Sequence, residues 1–243
     1  MGCVNVDLLL RNINFIGMKK LFLIASLGVL SFGVYAQAQE EKKESNKPAS
    51  PEMSALQTAA GLAKYGYANY SATALVEAAK IFAETKTQSM DATAEREKTE
   101  TVSDKDNAVT FKPSQLLADA KKYADKDEVV LAYISKVEKE MGAGATRGAV
   151  GGPKGQEDRV YGKTFVGYRV KFWANELAEV CVSGDGDTDL DLYIYDENDH
   201  LIASDTDYTD DCVCRWIPAW TGTFYVKVVN RGAVYNNFVI WTN

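Results

Sequence analysis

The sequence predicts an α+β protein in two parts, short helical hairpins followed by an antiparallel β-sandwich. Three observations carry this. Apolar residues recur at helical spacing between Met53 and Met141. Six glycines fall within the fourteen residues 142–155. Beyond them, short runs of alternating apolar and polar residues recur, separated by Asn, Asp and Gly turns. Aromatic residues follow the same division, since residues 156–243 hold all four Trp and 15 of the 26 aromatics.

Residues 1–38 read as an upstream stretch followed by an export signal. Met18-Lys19-Lys20 precedes an uncharged run from Leu21 to Val34, and Ala36-Gln37-Ala38 supplies small-x-small cleavage chemistry. As a helix the run is too short for a hydrocarbon core of roughly 30 Å. Met18 is the expected initiator, and the exported chain is expected to begin at Gln37 or Gln39, in the periplasm or outside the cell. Residues 39–52 are charged, contain Pro and lack aliphatic residues, as a flexible tether does.

The helical region is expected over residues 53–141. Met53 to Tyr67 places Leu56, Ala60 and Ala63 on one face. Ser71 is a candidate N-cap for a second helix carrying Leu75, Val76, Ala79 and Phe82. The pairs Ala59-Ala60 and Ala78-Ala79 allow close helix packing. Residues 84–110 contain no Leu, Ile or aromatic side chain, so they are expected to be a mobile insert that cannot offset its ordering entropy. A third helix follows Pro113-Ser114, and a fourth opens at Asp125 or Asp127. Residues 142–155 match neither glycine-rich phosphate motif and read as a linker.

Residues 156–243 supply the sandwich strands. Val166 to Phe172, Ala178 to Val182, Leu190 to Ile194, Leu201-Ile202, Val213 to Ile217, Phe224 to Val228 and Val234 to Trp241 alternate or run apolar between turn signals. Seven or eight such strands argue for two packed antiparallel sheets. Within this region the run GDGDTDLDLYIYDENDHLIASD, the later TGTFYVKVVNRG and a Tyr-containing final strand resemble the bacterial pre-peptidase C-terminal domain. Asp189, Asp191, Leu192 and Tyr193 stand in its D-x-D-L-Y pattern, and Gly222, Phe224 (or Tyr225), Val226 and Val228 in its G-x-Y/F-x-[VI]-x-V pattern. The resemblance implies a jelly-roll-like sandwich on a secreted protein, often beside a peptidase, in some members binding calcium, collagen or polysaccharide. No peptidase motif stands in residues 1–155, so a role in proteolysis is not carried over.

The acidic series is the sharpest chemical signal. Asp185, Asp187, Asp189 and Asp191 alternate, Asp207 follows, and no Lys or Arg lies between Lys171 and Arg215. Two readings stand side by side: calcium, which takes six to eight hard oxygens, or a solvated run of turn and cap residues. Cysteine leaves a similar choice. Either Cys181 pairs with Cys212 or Cys214 in an oxidising compartment, or all three thiols stay reduced. Trp216, Trp220 and Trp241 are candidates for stacking on a ligand, with core packing as the alternative.

The formal charge of −7 argues against nucleic acid as a partner. The single histidine and the lack of G-x-S-x-G or H-E-x-x-H argue against catalysis. The expected function is an exported, non-catalytic binding or accessory protein. The alternative is a carbohydrate- or peptide-binding module of a secreted hydrolase system, and a hydrolase with an unrecognised site is a weaker third. A flat aromatic strip would favour the glycan binder.

Overall fold

The computed structural model describes residues 47–97, 109–144 and 152–243. The export signal and its cleavage site lie outside these residues, as do most of the tether and the centres of the insert and the linker. The described residues all belong to one compact unit, Glu40–Asn243.

Among the described residues four helices come first. Helix α1 (Pro51–Ala68) starts where the Ser50 side chain accepts from Met53 N and Pro51 takes a position that needs no N–H donor. Helix α2 (Ala72–Glu84) follows Ser71, whose hydroxyl accepts from Ala74 N, the cap expected from the sequence. Helix α3 spans Pro113–Ala124 and α4 spans Glu128–Gly144. Asp127 opens α4, its carboxylate accepting from Val129 N and Val130 N at 3.0 and 3.1 Å. Asp125 ends α3 in a left-handed conformation instead (φ 48°). Among the described residues no helix is long and apolar enough to cross a membrane.

The strands are β1 (Gln88–Ser89), β2 (Glu95–Arg96), β3 (Lys154–Val160), β4 (Phe165–Phe172), β5 (Ala178–Gly184), β6 (Leu190–Tyr195), β7 (Leu201–Asp205), β8 (Asp211–Trp216), β9 (Gly222–Asn230) and β10 (Asn236–Thr242). They form two five-stranded sheets: β1-β3-β10-β5-β8 and β2-β4-β9-β6-β7. Every pairing is antiparallel except β1 with β3. Between the sheets, Val166, Tyr168, Phe172, Leu192, Ile194, Trp216, Phe224 and Val226 make one core.

Two elements differ from expectation. Residues expected to lie in the mobile insert add a two-residue edge strand to each sheet, β1 on the first and β2 on the second. Met90, between them, is buried in the sandwich core, and this one thioether provides the apolar anchor that the composition of the stretch hides. Strand β3 was not expected, because KGQEDRV shows no apolar alternation. It is recruited by backbone pairing along the whole length of β10.

The helices lie on the outer face of the first sheet. Leu56, Leu75, Leu116 and Ile134 share a cluster with Cys181, Val239 and Trp241 of that sheet, and Phe82 stacks on Trp241 at 5.9 Å. Polar contacts fix the seam. Glu179, fully buried on β5, accepts from Ser50 N at 3.0 Å at the start of α1 and from Arg215 Nε at 2.9 Å. A carboxylate there also faces the positive end of the helix. Lys64 of α1 bridges Asp210 at 3.0 Å and Asp211 at 2.5 Å. Among the described residues, the first sheet is thereby covered on both faces and the second on its inner face.

Candidate functional site: the outer face of the second sheet

Alternation decides what this face displays. Along β4, Val166, Tyr168 and Phe172 point into the core, so Phe165, Gly167, Arg169 and Lys171 point out. By the same rule Thr223, Tyr225, Lys227 and Val229 point out from β9, and Asp191, Tyr193 and Tyr195 from β6. Register then sets the rows. Arg169, Tyr225, Tyr195 and Leu201 lie side by side across four strands, and Glu95, Gly167, Lys227, Tyr193 and Ser204 form the next row.

The rings are held in place. Tyr193 and Tyr195 lie nearly parallel, with centroids 6.3 Å apart and planes 23° from one another. The Tyr193 hydroxyl donates to Asp191 Oδ2 at 2.9 Å and accepts from Arg231 Nη2 at 2.8 Å. Arg231 also grips Asp191 through Nε at 2.5 Å. Tyr225 leans over Gly167: a Cβ there would lie 2.0 Å from the Tyr225 hydroxyl oxygen, so only glycine leaves the ring its position. Cations complete the surface. Arg169 sits 5.3 Å above the Tyr225 ring, Lys227 4.2 Å above Phe165, and Lys171 4.8 Å above Trp173, which is itself exposed.

Burial, and then the Glu95 carboxylate, raise the Tyr225 phenol. Burial and the hydrogen bond to Asp191 raise that of Tyr193. The hydrogen bond to Asp191 outweighs burial and raises the Arg231 guanidinium. The result is a rigid, half-exposed platform of three phenol rings fringed by cations, borne on strands rather than loops. Phenol rings of this kind give a large amphipathic contact area at small conformational cost.

Of the residues singled out from the sequence, Asp191 belongs to this face and the others fall elsewhere. Asp185 is buried, and its Oδ2 accepts from Asn237 N at 2.8 Å. Asp187 is exposed at the tip of the turn beside Gly186. Asp189 is partly buried, and burial followed by the neighbouring Asp191 charge raises its carboxyl. Asp191 is taken by Arg231 and Tyr193, and Asp207 closes its own turn by accepting from Thr209 N and the Thr209 hydroxyl. Among the described residues no three carboxylates, thiols or imidazoles converge as a cation requires. Asn237 N, the Arg231 guanidinium and Thr209 N each engage one oxygen of Asp185, Asp191 and Asp207 respectively, whereas Oδ1 of Asp189 is buried with no hydrogen-bond partner among the described residues.

The cysteine pairing also fails, for a geometric reason. Cys181 lies opposite Val213 on the helix-facing side of the first sheet, whereas Cys212 and Cys214 point into the sandwich core. All three are free and buried. Burial pushes the Cys181 thiol up to about 12 and raises that of Cys212 as well. Of the tryptophans, Trp216 is packed edge-on against Phe172 inside the core, and Trp241 is sealed under Phe82. Neither can meet a ligand. Trp220 is 37% exposed and stacked on Phe224 at the end of the sandwich.

A cleft of about 700 Å³ opens between α1, α3 and the 185–187 turn, lined by Tyr67, Tyr70, Tyr123 and Lys64 among others. Its polar groups largely satisfy one another. Tyr67 donates to Asp119 at 2.9 Å, Lys122 binds Asp119, and Lys64 binds the Asp210–Asp211 pair.

No family model matches the chain, and no curated protein matches it. Solved structures with a weak fold-level likeness include the pre-peptidase C-terminal domain of a collagenase from Bacillus anthracis, at 10% identity and TM-score 0.31, covering 37% of this chain and 88% of that one. The Yersinia pseudotuberculosis-derived mitogen matches at 11% identity and TM-score 0.32, over 39% of this chain and 86% of that one. Aeromonas hydrophila PliG, a periplasmic inhibitor of g-type lysozyme, matches at 13% identity and TM-score 0.29, over 37% and 86%. Likenesses this distant assign this chain no activity and no partner.

Proposed function

We propose that the protein is an exported, non-catalytic accessory module that binds polysaccharide on the outer face of its second sheet. The observation that carries this reading is the strand-borne platform of Tyr193, Tyr195 and Tyr225, left open on a sandwich whose other sheet is covered. Sugar rings present apolar faces to aromatic rings and hydroxyls to the polar groups beside them, and this face supplies both. The export signal of residues 18–38 supports delivery to a compartment where such polymers occur. The pre-peptidase-like motif gains a physical role here, because its Asp191 and Tyr193 anchor one end of the platform through Arg231.

The test is affinity electrophoresis in gels containing soluble polysaccharides. The wild-type protein is retarded by at least one polymer, Tyr225→Ala abolishes the retardation, and Gly167→Ala weakens it by displacing the same ring. Retardation unchanged in Tyr225→Ala and in Tyr193→Ala moves the ligand off this face and sinks the proposal.

A further inference from the structure

We infer that the polysaccharide taken by this face is acidic, a polymer bearing uronate or sulfate groups. This rests on the binding reading above and adds the ligand class. The chain carries a formal charge of −7, and residues 156–243 hold 15 acidic and only seven basic residues. Four of those seven, Arg169, Lys171, Lys227 and Arg231, stand on or beside this one face. Among the described residues three carboxylates share it: Glu95 and Asp191, matched to Arg169 at 2.9 Å and Arg231 at 2.5 Å, and the exposed Glu97 at the sheet edge beside Phe165.

Lys171 and Lys227 are the cations of this face that form no ion pair among the described residues, and each lies over a ring, Trp173 and Phe165. Lys171 is exposed and Lys227 half-exposed. An ammonium over a ring face keeps two or more of its donors directed away from the ring, toward an incoming anion. Lys227 lies in the same row as Tyr193, and Lys171 lies one position beyond the row of Tyr225 and Tyr195. A chain of sugars stacked on the tyrosines would therefore pass a cation on either side of the ring line. A neutral polymer would leave both ammonium groups without purpose, and it would not explain why a strongly acidic domain gathers its few bases here. Cation charge of this kind also steers an anionic polymer toward the face from a distance.

The test is titration calorimetry of the full chain with soluble polygalacturonate, with a neutral β-glucan and with poly-glutamate, using wild type, Lys171→Gln/Lys227→Gln and Tyr225→Ala. Both lysines are at the surface, and a matched melting curve shows that each variant is folded. Polygalacturonate should bind about tenfold more tightly than the glucan, as two screened charge contacts allow. Raising the salt concentration and the double lysine variant should each remove most of that margin, while Tyr225→Ala should abolish binding to both sugars. Equal binding of polygalacturonate and glucan, unaffected by the lysine changes yet lost in Tyr225→Ala, would overturn the acidic ligand and leave the sugar-binding reading standing. Binding of poly-glutamate as tight as that of polygalacturonate, with Tyr225→Ala without effect, would overturn both in favour of an acidic protein partner. Binding of none of the three polymers would also overturn both.

Discussion

Arg215→Ala should destabilise the protein more than its position near the surface suggests, and a second change should rescue it. The Arg215 side chain is 26% exposed, but its partner Glu179 is fully buried between α1 and the first sheet. Removing the guanidinium leaves a carboxylate out of water that still accepts from the backbone Ser50 N. Breaking a buried pair in this way costs about 3–5 kcal/mol, and the retained hydrogen bond and partial exposure of Arg215 place the loss near 3 kcal/mol. For a unit of this size, that lowers the melting temperature by about 6–12 °C. In Arg215→Ala/Glu179→Gln the uncharged amide can still accept from Ser50 N and carries no charge to strand, so more than half of the loss should return. Thermal melts followed by circular dichroism, with urea titration at fixed temperature, measure both variants. If the double variant melts as low as Arg215→Ala or lower, the cost does not come from a buried unpaired charge, and this account of the helix–sheet seam is wrong.

Three further outcomes are expected. Asp189 has its carboxyl raised in the folded protein by burial and by Asp191, so its ionised form costs stability at neutral pH. Asp189→Asn should therefore raise the melting temperature at pH 7, and the gain should vanish below about pH 3, where the carboxyl is protonated folded or unfolded alike; an equal gain at both pH values would refute the electrostatic cause. Melting midpoints in millimolar calcium and in chelator should coincide, since among the described residues no three acidic, thiol or imidazole groups converge as a cation requires; a calcium-dependent rise would support the metal reading. Cys181, Cys212 and Cys214 should react with a thiol reagent only on unfolding, because all three are buried; a disulfide found between Cys181 and either of the other two by peptide mapping would contradict the two-faced arrangement of β5 and β8.

Period was legible in the sequence, and partnership was not. Ser71, Pro113 and Asp127 mark helix starts through local capping chemistry, and the structure uses each. The β4, β6 and β9 alternations likewise reach the sheets as read. Strand β3 could not be read, because its conformation comes from β10 rather than from its own side chains. The site was hidden for a related reason. Alternation puts Tyr193, Tyr195, Tyr225 and Lys227 on the face opposite Leu192, Ile194 and Val226, but only the docking of helices on the other sheet leaves that face open. Part of the acidic run was unreadable for a similar reason, because Asn237, Lys64 and Arg231, the partners of Asp185, Asp210 and Asp191, are distant in sequence.

The central claim is that the outer face of the second sheet binds sugar polymer. Amide chemical-shift mapping of isotopically labelled protein, titrated with an oligosaccharide of the best-binding polymer, tests it most directly. Perturbations concentrated on Arg169, Lys171, Tyr193, Tyr195, Tyr225 and Lys227, with β5, β8 and the helices unchanged, are the expected result. Perturbations centred on Lys64, Tyr67, Tyr70 and Tyr123 would place the ligand in the helix-side cleft and contradict the account.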